Sequence, residues 1–333
     1  MAMTLVESAK LSTDVVLKGV IETMITESEV LQKLPFIDIV GNGLTYNQEL
    51  TLPGAGFYGP NDIWNESTPT FRQATAVLSI LGGDADVDEF LRQTRSNIQD
   101  LKAIVTEEKS KAIARKFDYT FVYGLTSSDA KSFNGLHYLV GVQAIPTSDA
   151  PDSGLYQAVH GSTTGNTVGA GGLISKLRTL IRKIKPGKPD YLIMNRDVRD
   201  GLSAFAERAT SPIRYAIAEF GKRIMTFDDI PILIDDWITS DELLASGVYS
   251  AATGGAAAGS AATTATSSIF AVKFGEQKLV GCQNGGIVIK DLGDLETKDA
   301  SRVRIKWYCS MALMNMLSAA VYDGILPLTA WAA

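Results

Sequence analysis

Apolar residues recur at helical spacing between Leu5 and Leu34, as Val16, Val20 and Met24 and then Val30, Leu31 and Leu34, with Gly19 interrupting and Pro35 closing the run. The pattern predicts an N-terminal arm with one or two helical pieces. Period-2 alternation follows in Leu44–Leu52 and returns in a strand-like run from Thr70 to Leu81. Between them, residues 53–69 are rich in Gly and Pro and carry Phe57, Tyr58 and Trp64. The segment reads as a long hairpin with an irregular aromatic tip. A two-stranded ribbon has little core of its own, so it must lie on something else, either its own domain or a neighbouring subunit.

Residues 84–123 contain neither Gly nor Pro, while Gly82 and Gly83 precede them and Gly124 ends them. Asp84, Asp86, Asp88 and Glu89 crowd one end, and Lys109, Lys111, Arg115 and Lys116 lie toward the other, the charge order that a helix dipole favours. Val87, Leu91, Thr94, Ile98, Leu101 and Val105 step by four and three, and Ala112, Ile113, Phe117 and Phe121 extend the stripe. The expectation is one helix on the order of 55 Å long.

From Gly172 an amphipathic helix built on Leu173, Leu177, Leu180, Ile181 and Ile184 breaks at Pro186-Gly187. A short buried strand, Tyr191–Met194, precedes Asn195 as N-cap of a helix through Val198, Leu202 and Phe205. Another strand, Ile230–Ile234, ends in Asp235-Asp236-Trp237. The order describes an α/β unit. Ser250–Ser268 uses only Ala, Gly, Ser and Thr, side chains too small to build a core, and reads as a flexible surface loop. The remainder predicts β structure: Ser268–Phe274, Lys278–Cys282, Gly286–Asp291 and Arg302–Leu317, the last long enough to need a bulge or bend.

Composition narrows the chemistry. The 333 residues suit two domains or one elaborated domain, and 45% hydrophobic against 20% charged residues is ordinary for a folded protein. A net charge of −6 argues against a protein whose main task is gripping nucleic-acid phosphates. Six basic residues in thirteen, Lys176, Arg178, Arg182, Lys183, Lys185 and Lys188, form the candidate basic face, read either as a polyanion patch or as a solvated face paired with nearby acids. Two cysteines, Cys282 and Cys309, lack zinc-site spacing and read as reduced thiols in an intracellular product. The N-terminus carries Glu7, Lys10 and Asp14 where a signal peptide needs an apolar run, and no stretch predicts a membrane span.

No catalytic, metal or cofactor motif emerges. His137 and His160 have no second histidine at helical spacing, G-x-S-x-G is absent, and Gly187-Lys188 lacks the Ser or Thr of a phosphate loop. Asp84-x-Asp86-x-Asp88 has Glu89 where a calcium loop needs glycine and Arg95 where it needs its bidentate Glu. Asp228, Asp229, Asp235 and Asp236 read as solvated strand-end acids rather than a general acid/base pair. The alternative of a small-molecule α/β enzyme rests only on the 172–236 region.

The order of arm, long hairpin, strut helix, α/β unit and β return resembles the major capsid proteins of tailed bacteriophages, the Hong Kong 97 type fold, with Gly124 and Phe133-Asn134-Gly135-Leu136 matching the turn that often follows the family's spine helix. The resemblance implies an α+β capsid fold: an N-arm at 1–43, an E-loop hairpin at 44–81, a P domain with the spine helix at 82–124 and 286–333, and an A domain at 125–285. It implies a non-enzymatic subunit that self-assembles as hexamers and pentamers into a virion head shell built in the host cytoplasm. Such a shell encloses double-stranded DNA without sequence-specific binding, and its implied partners are a portal, a cement or decoration protein, and a separate scaffolding protein unless an upstream segment is removed. Encapsulin shells share the fold and remain the alternative. The expected intersubunit contacts are Phe57, Tyr58 and Trp64 at the hairpin tip, with Arg72 on its second strand. The family's founding member cross-links a hairpin lysine to an asparagine of the next subunit; here no lysine lies between Lys33 and Lys102, so a non-covalent shell is expected.

Overall fold

The structure is a computed structural model of the chain. It describes residues 3–4, 15–51, 53–90, 94, 101–141, 158–160, 170–208, 213–217, 223–240, 242–245, 248–251 and 267–325.

In chain order the N-terminal part holds β1 (Met3–Thr4), α1 (Val15–Glu27), α2 (Glu29–Lys33), β2 (Pro35–Asp38), β3 (Gly43–Thr51), β4 (Thr70–Val77) and β5 (Ser79–Asp88). The middle holds α3 (Leu101–Tyr123), α4 (Leu136–Gly141), β6 (Ala158–His160), α5 (Ala170–Lys183), β7 (Tyr191–Met194) and α6 (Arg196–Arg208). Then come β8 (Ile213–Ile217), β9 (Arg223–Phe227), β10 (Ile230–Ile234), β11 (Glu242–Ala245), β12 (Val248–Ala251), β13 (Ser267–Val272), β14 (Leu279–Leu295), β15 (Lys298–Leu313) and β16 (Ala319–Ile325). Four sheets result: five strands ordered β1-β2-β14-β15-β5, seven ordered β6-β16-β13-β7-β10-β9-β8, and the two-stranded ribbons β3-β4 and β11-β12.

The long helix does not begin at Asp84 as its sequence suggests; residues 89, 90 and 94 are helical. Residues 84–88 are not its first turns but the end of an edge strand, Ser79–Asp88, paired antiparallel with β15 from Ser79 opposite Cys309 to Asp88 opposite Ala300. Ala85 and Val87 are buried while Asp86 and Asp88 face outward, a period of two. Across the ladder Arg304 donates to both oxygens of Asp84 (2.7 and 2.8 Å) and Arg302 to both of Asp86 (2.6 and 2.7 Å). The carboxylates thus answer arginines on the next strand, not a helix dipole. These hydrogen bonds hold both carboxyls below the ordinary range. Leu91–Gln93 and residues 95–100 lie outside the described residues.

The helix itself, α3, spans about 34 Å at 1.5 Å per residue. Its buried stripe runs Thr106, Ser110, Ile113, Phe117 and Phe121, stepping by three and four, whereas Ala112, expected on that stripe, is exposed. Phe117 meets Trp307 with ring centroids 5.0 Å apart, Phe133 at 5.6 Å and Phe36 at 6.2 Å. This aromatic knot joins the helix to β2 and β15 in the larger core. Gly281 lets the Phe36 ring lie on β14, since a Cβ there would stand 2.5 Å from ring carbons.

The seven-stranded sheet carries the expected strands β7 and β10, parallel neighbours with Ile193 opposite Leu233. Leu192 and Met194 pack with Leu177, Leu180, Val198 and Leu202, so α5 and α6 cover one face. Ile193, Leu233, Phe270 and Val321 turn the other way, into the larger core with Phe117 and Leu136. Asn195 caps α6 as expected, its Oδ1 accepting from the Asp197 N–H at 3.1 Å.

Three boundaries differ from expectation. The second hairpin strand divides at Leu78, where the chain leaves β3 for β15; the Leu78 N–H donates to the Asn42 carbonyl at 2.9 Å. The two strands expected at 278–291 are one, β14, bent between Gln283 and Ile287 where Gly285 and Gly286 hold φ near +70°. The chain's return does not stay in the five-stranded sheet: β16 pairs with β13 and β6 in the seven-stranded one. Of the expected loop at 250–268, Ser250 and Ala251 close β12, Ser267 and Ser268 open β13, and residues 252–266 lie outside the described residues.

Candidate assembly interface

The β3-β4 hairpin divides into a docked base and a free tip. At the base Ala74 and Ala76 are buried, and Gln48 donates through Nε2 to the Leu313 carbonyl at 2.6 Å, tying the ribbon to the end of β15. Arg72 stands opposite Gln48 in the ladder and is half-buried.

The tip packs within itself. Tyr58 and Trp64 stack with centroids 4.3 Å apart and planes 16° off parallel, and the Tyr58 hydroxyl accepts from the Asn65 N–H at 3.3 Å. Asp62 closes a turn by accepting from the Gly59 N–H, with Asn61 at φ 71°. Phe57 and Ile63 are left fully outside, at 109% and 89% exposure, and Trp64 is 76% exposed. Of the expected contact residues, Phe57, Tyr58 and Trp64 therefore gather on one tip, while Arg72 sits apart on the docked half. Ile63 joins the tip although sequence reading passed over it; its cue was its place between two turn segments, beside Trp64.

The basic face is partly engaged. Arg178, Arg182, Lys185 and Lys188 are exposed and Lys183 is half-buried, opposite the buried Leu177, Leu180 and Ile184; the Lys176 side chain lies outside the described residues. Arg178 reaches Asp228 at 3.5 Å and Lys188 donates to the Asp228 carbonyl at 2.9 Å. Asp228 and Asp229 hold φ of 48° and 68° between the antiparallel strands β9 and β10, so this acidic pair forms a tight hairpin turn.

No protein-family model matches the chain, and no curated protein matches it in sequence. Solved structures match it in shape. The holo-SrpI encapsulin complex from Synechococcus elongatus PCC 7942 aligns with TM-score 0.61 and 15% identity over 99% of this chain and 98% of that one. The capsid of a native GTA particle aligns with TM-score 0.60 and 10% identity over 90% of each chain. A chain of Microbacterium phage Oxtober96 aligns with TM-score 0.60 and 12% identity over 90% of this chain and 91% of that one. This chain has the Hong Kong 97 type fold.

Within that fold, among the described residues, no group of three or more His, Cys, Asp or Glu side chains is gathered to hold a metal, and no helix is long and apolar enough to cross a membrane. Cys282 and Cys309 occupy neighbouring register positions and project to opposite faces of the β14-β15 pair, one into each core cluster. Burial pushes the Cys282 thiol up to about 11 and the Cys309 thiol higher still.

Two buried polar groups escaped the sequence reading. Glu242 accepts from the Tyr123 hydroxyl at 2.5 Å and from the Ser268 hydroxyl, and lies 3.3 Å from His137 Nε2. The His137 ring stacks on Tyr123, and burial with the neighbouring carboxylate raises the Tyr123 pKa. The carboxylate stands between the two hydroxyls and the imidazole, and the cluster pins α3 and α4 to β11 and β13. The second group surrounds Asp235. That residue was expected to be solvated, yet it is 4% exposed in the cleft where α2, α3 and the end of β10 meet.

Proposed function

We propose that this chain is the shell subunit of a self-assembling particle, the major capsid protein of a tailed-phage-type head. The observation that carries the reading is the hairpin: a docked base holding out a tip that leaves Phe57, Ile63 and the outer face of Trp64 exposed. Apolar surface presented this way calls for a partner. The phage and GTA capsid chains of the same fold make a copy of this chain the natural partner. In this reading residues 1–43 are the N-arm, the β3-β4 ribbon is the E-loop, α3 with the five-stranded sheet is the P domain, and the seven-stranded sheet is the A domain. The assembled head encloses double-stranded DNA by volume rather than by sequence reading, consistent with a net charge of −6 and with basic side chains partly committed to Asp228. It is built in the host cytoplasm, with portal, scaffolding and cement proteins as partners. Its role is structural, without catalysis.

A second reading is favoured by one specific observation. The encapsulin chain aligns end to end, over 99% of this chain and 98% of its own, whereas the phage and GTA chains cover about nine-tenths. Both readings predict closed particles when purified protein is viewed by electron microscopy and sized by light scattering. A monomer or small oligomer under all assembly conditions refutes them and revives a small-molecule enzyme. Particle contents separate the two: packaged DNA, with portal and terminase genes adjacent, marks a head, and a co-purifying cargo enzyme marks an encapsulin.

A further inference from the structure

Ser28, Asp118 and Asp235 come from three separate elements and line one cleft of about 420 Å³. Ser28 is the N-cap of α2, accepting from the Leu31 N–H at 3.1 Å, and it spends its hydroxyl proton on Asp118 Oδ1 at 2.7 Å. Asp235 Oδ1 accepts from the Trp237 N–H at 2.9 Å, whereas its Oδ2 is buried without a hydrogen-bond partner. Both carboxyls are more than nine-tenths buried, and the charge of Asp235 acts on Asp118.

The cations that face the cleft are committed elsewhere. Arg115 of α3 pairs with Glu27 at 2.6 Å and lies over the Trp237 ring, and Arg196 of α6 pairs with Asp236 at 2.7 Å. Glu29, the remaining charged group, accepts from the Ile234 N–H at 3.2 Å and adds negative charge beside Asp235. Two buried carboxylates with no cation of their own cannot both stay ionised cheaply.

We propose that Asp118 and Asp235 form a proton-operated clasp, closed when the pair retains a proton and loosened when both ionise, which fastens the N-terminal helices to the spine helix α3 and to the end of β10. Burial, first, and then neighbouring negative charges raise both carboxyl pKa values, Asp235 and Glu27 acting on Asp118, and Asp236 and Glu29 acting on Asp235, which rises to about 7. The closed form therefore holds its proton where an opened form, with ordinary carboxyls, has lost it. Closure is strongest below about pH 4, weakens as pH rises through neutrality, where Asp235 ionises, and levels off once Asp118 is ionised as well. The opening equilibrium should grow roughly tenfold per pH unit for each proton that the closed form still holds.

The test is amide hydrogen exchange on the full chain between about pH 5 and pH 8.5. Residues 28–34 and 234–238 should lose protection in the wild type beyond the intrinsic rise of exchange with pH. Asp235→Asn, which keeps the shape of the protonated acid, should hold both segments closed throughout. Equal pH dependence in wild type and variant overturns the clasp. Recovery of protection at high pH on adding magnesium or calcium ions to the wild type, but not to Asp235→Asn, also overturns it, in favour of a cation site. Should the variant fail to fold, infrared difference spectra of the wild type decide: a protonated carboxylic C=O band must be present in mildly acid buffer and weaken as pH rises through neutrality, and its absence refutes the proposal.

Discussion

Replacing Phe57 and Ile63 together by serine separates the energetics of the subunit from those of the particle. In the isolated subunit both side chains are fully exposed, so their removal leaves no cavity and unpairs no polar group. The thermal midpoint of dissociated subunits should therefore hold, the stability change staying within about 0.5 kcal/mol. Trp64 is left in place because its ring supports Tyr58, and its loss would disturb the tip itself. At a contact the accounting reverses. Each side chain, if buried against a neighbour, contributes up to about 2 kcal/mol, so each loss weakens one contact by roughly 30-fold. Every subunit of a closed shell repeats the contact, and the subunit concentration at which particles appear should rise steeply. Light scattering against concentration reads that threshold, and differential scanning calorimetry of dissociated subunits reads the fold. Normal particles at the wild-type threshold would refute the role given to the tip. A large drop in the subunit's own midpoint would refute the claim that the tip packs on nothing.

Further outcomes follow from other parts of the structure. Boiled, reduced particles should run on a denaturing gel as one band at the mass of a single chain, because the ribbon's basic group is a guanidinium; a ladder of oligomers would show that a lysine elsewhere reacts. Phe117→Ala should cost about 3–5 kcal/mol in denaturant unfolding, since it empties the centre of the Phe36, Phe133 and Trp307 knot. The depressed carboxyls of Asp84 and Asp86 add stability that is present above the ordinary carboxylate pKa and lost as pH falls through their lower folded values. Replacing Arg302 and Arg304 by glutamine should accordingly flatten the acid limb of the stability curve, and an unchanged acid limb would mean that those pairs hold nothing.

Elements whose signal is local were legible in the chain. Tyr191–Met194 and Ile230–Ile234 are short apolar runs between turn residues, and their strands begin and end where those runs do. The Asp84-x-Asp86-x-Asp88 segment shows the opposite case. Read along the chain, its acids followed by distant lysines imitate a helix with its dipole answered. Its true partners, Arg302 and Arg304, lie on β15 and are invisible until the sheet forms. The alternation of buried Ala85 and Val87 with those acids was the competing local cue, and Gly82 and Gly83 sit inside the strand rather than ahead of a helix. A Cβ at Gly82 would come within 2.4 Å of the Ile305 carbonyl, so this glycine marks close approach of strands, not a helix boundary.

The candidate sites divide along the same line. Phe57, Tyr58 and Trp64 were legible as an interface because a hairpin tip rich in Gly and Pro has no core to hide them in, an argument that needs no tertiary structure. Asp235 was not, because a strand-end acid followed by Asp236 and Trp237 reads as solvated unless a helix from elsewhere covers it. Its local geometry supplies the missing step. By accepting from the Trp237 N–H two residues on, Asp235 forms a turn that folds its carboxyl back against the chain instead of releasing it to water. Asp236 is released, and finds Arg196. One oxygen of Asp235 is satisfied by the turn, and the other is buried without a hydrogen-bond partner in a cleft to which α3 brings Asp118. The turn that orders this corner is thus also what leaves a buried acid facing another acid, which is why a single change there, Asp235→Asn, separates the corner's order from its response to pH.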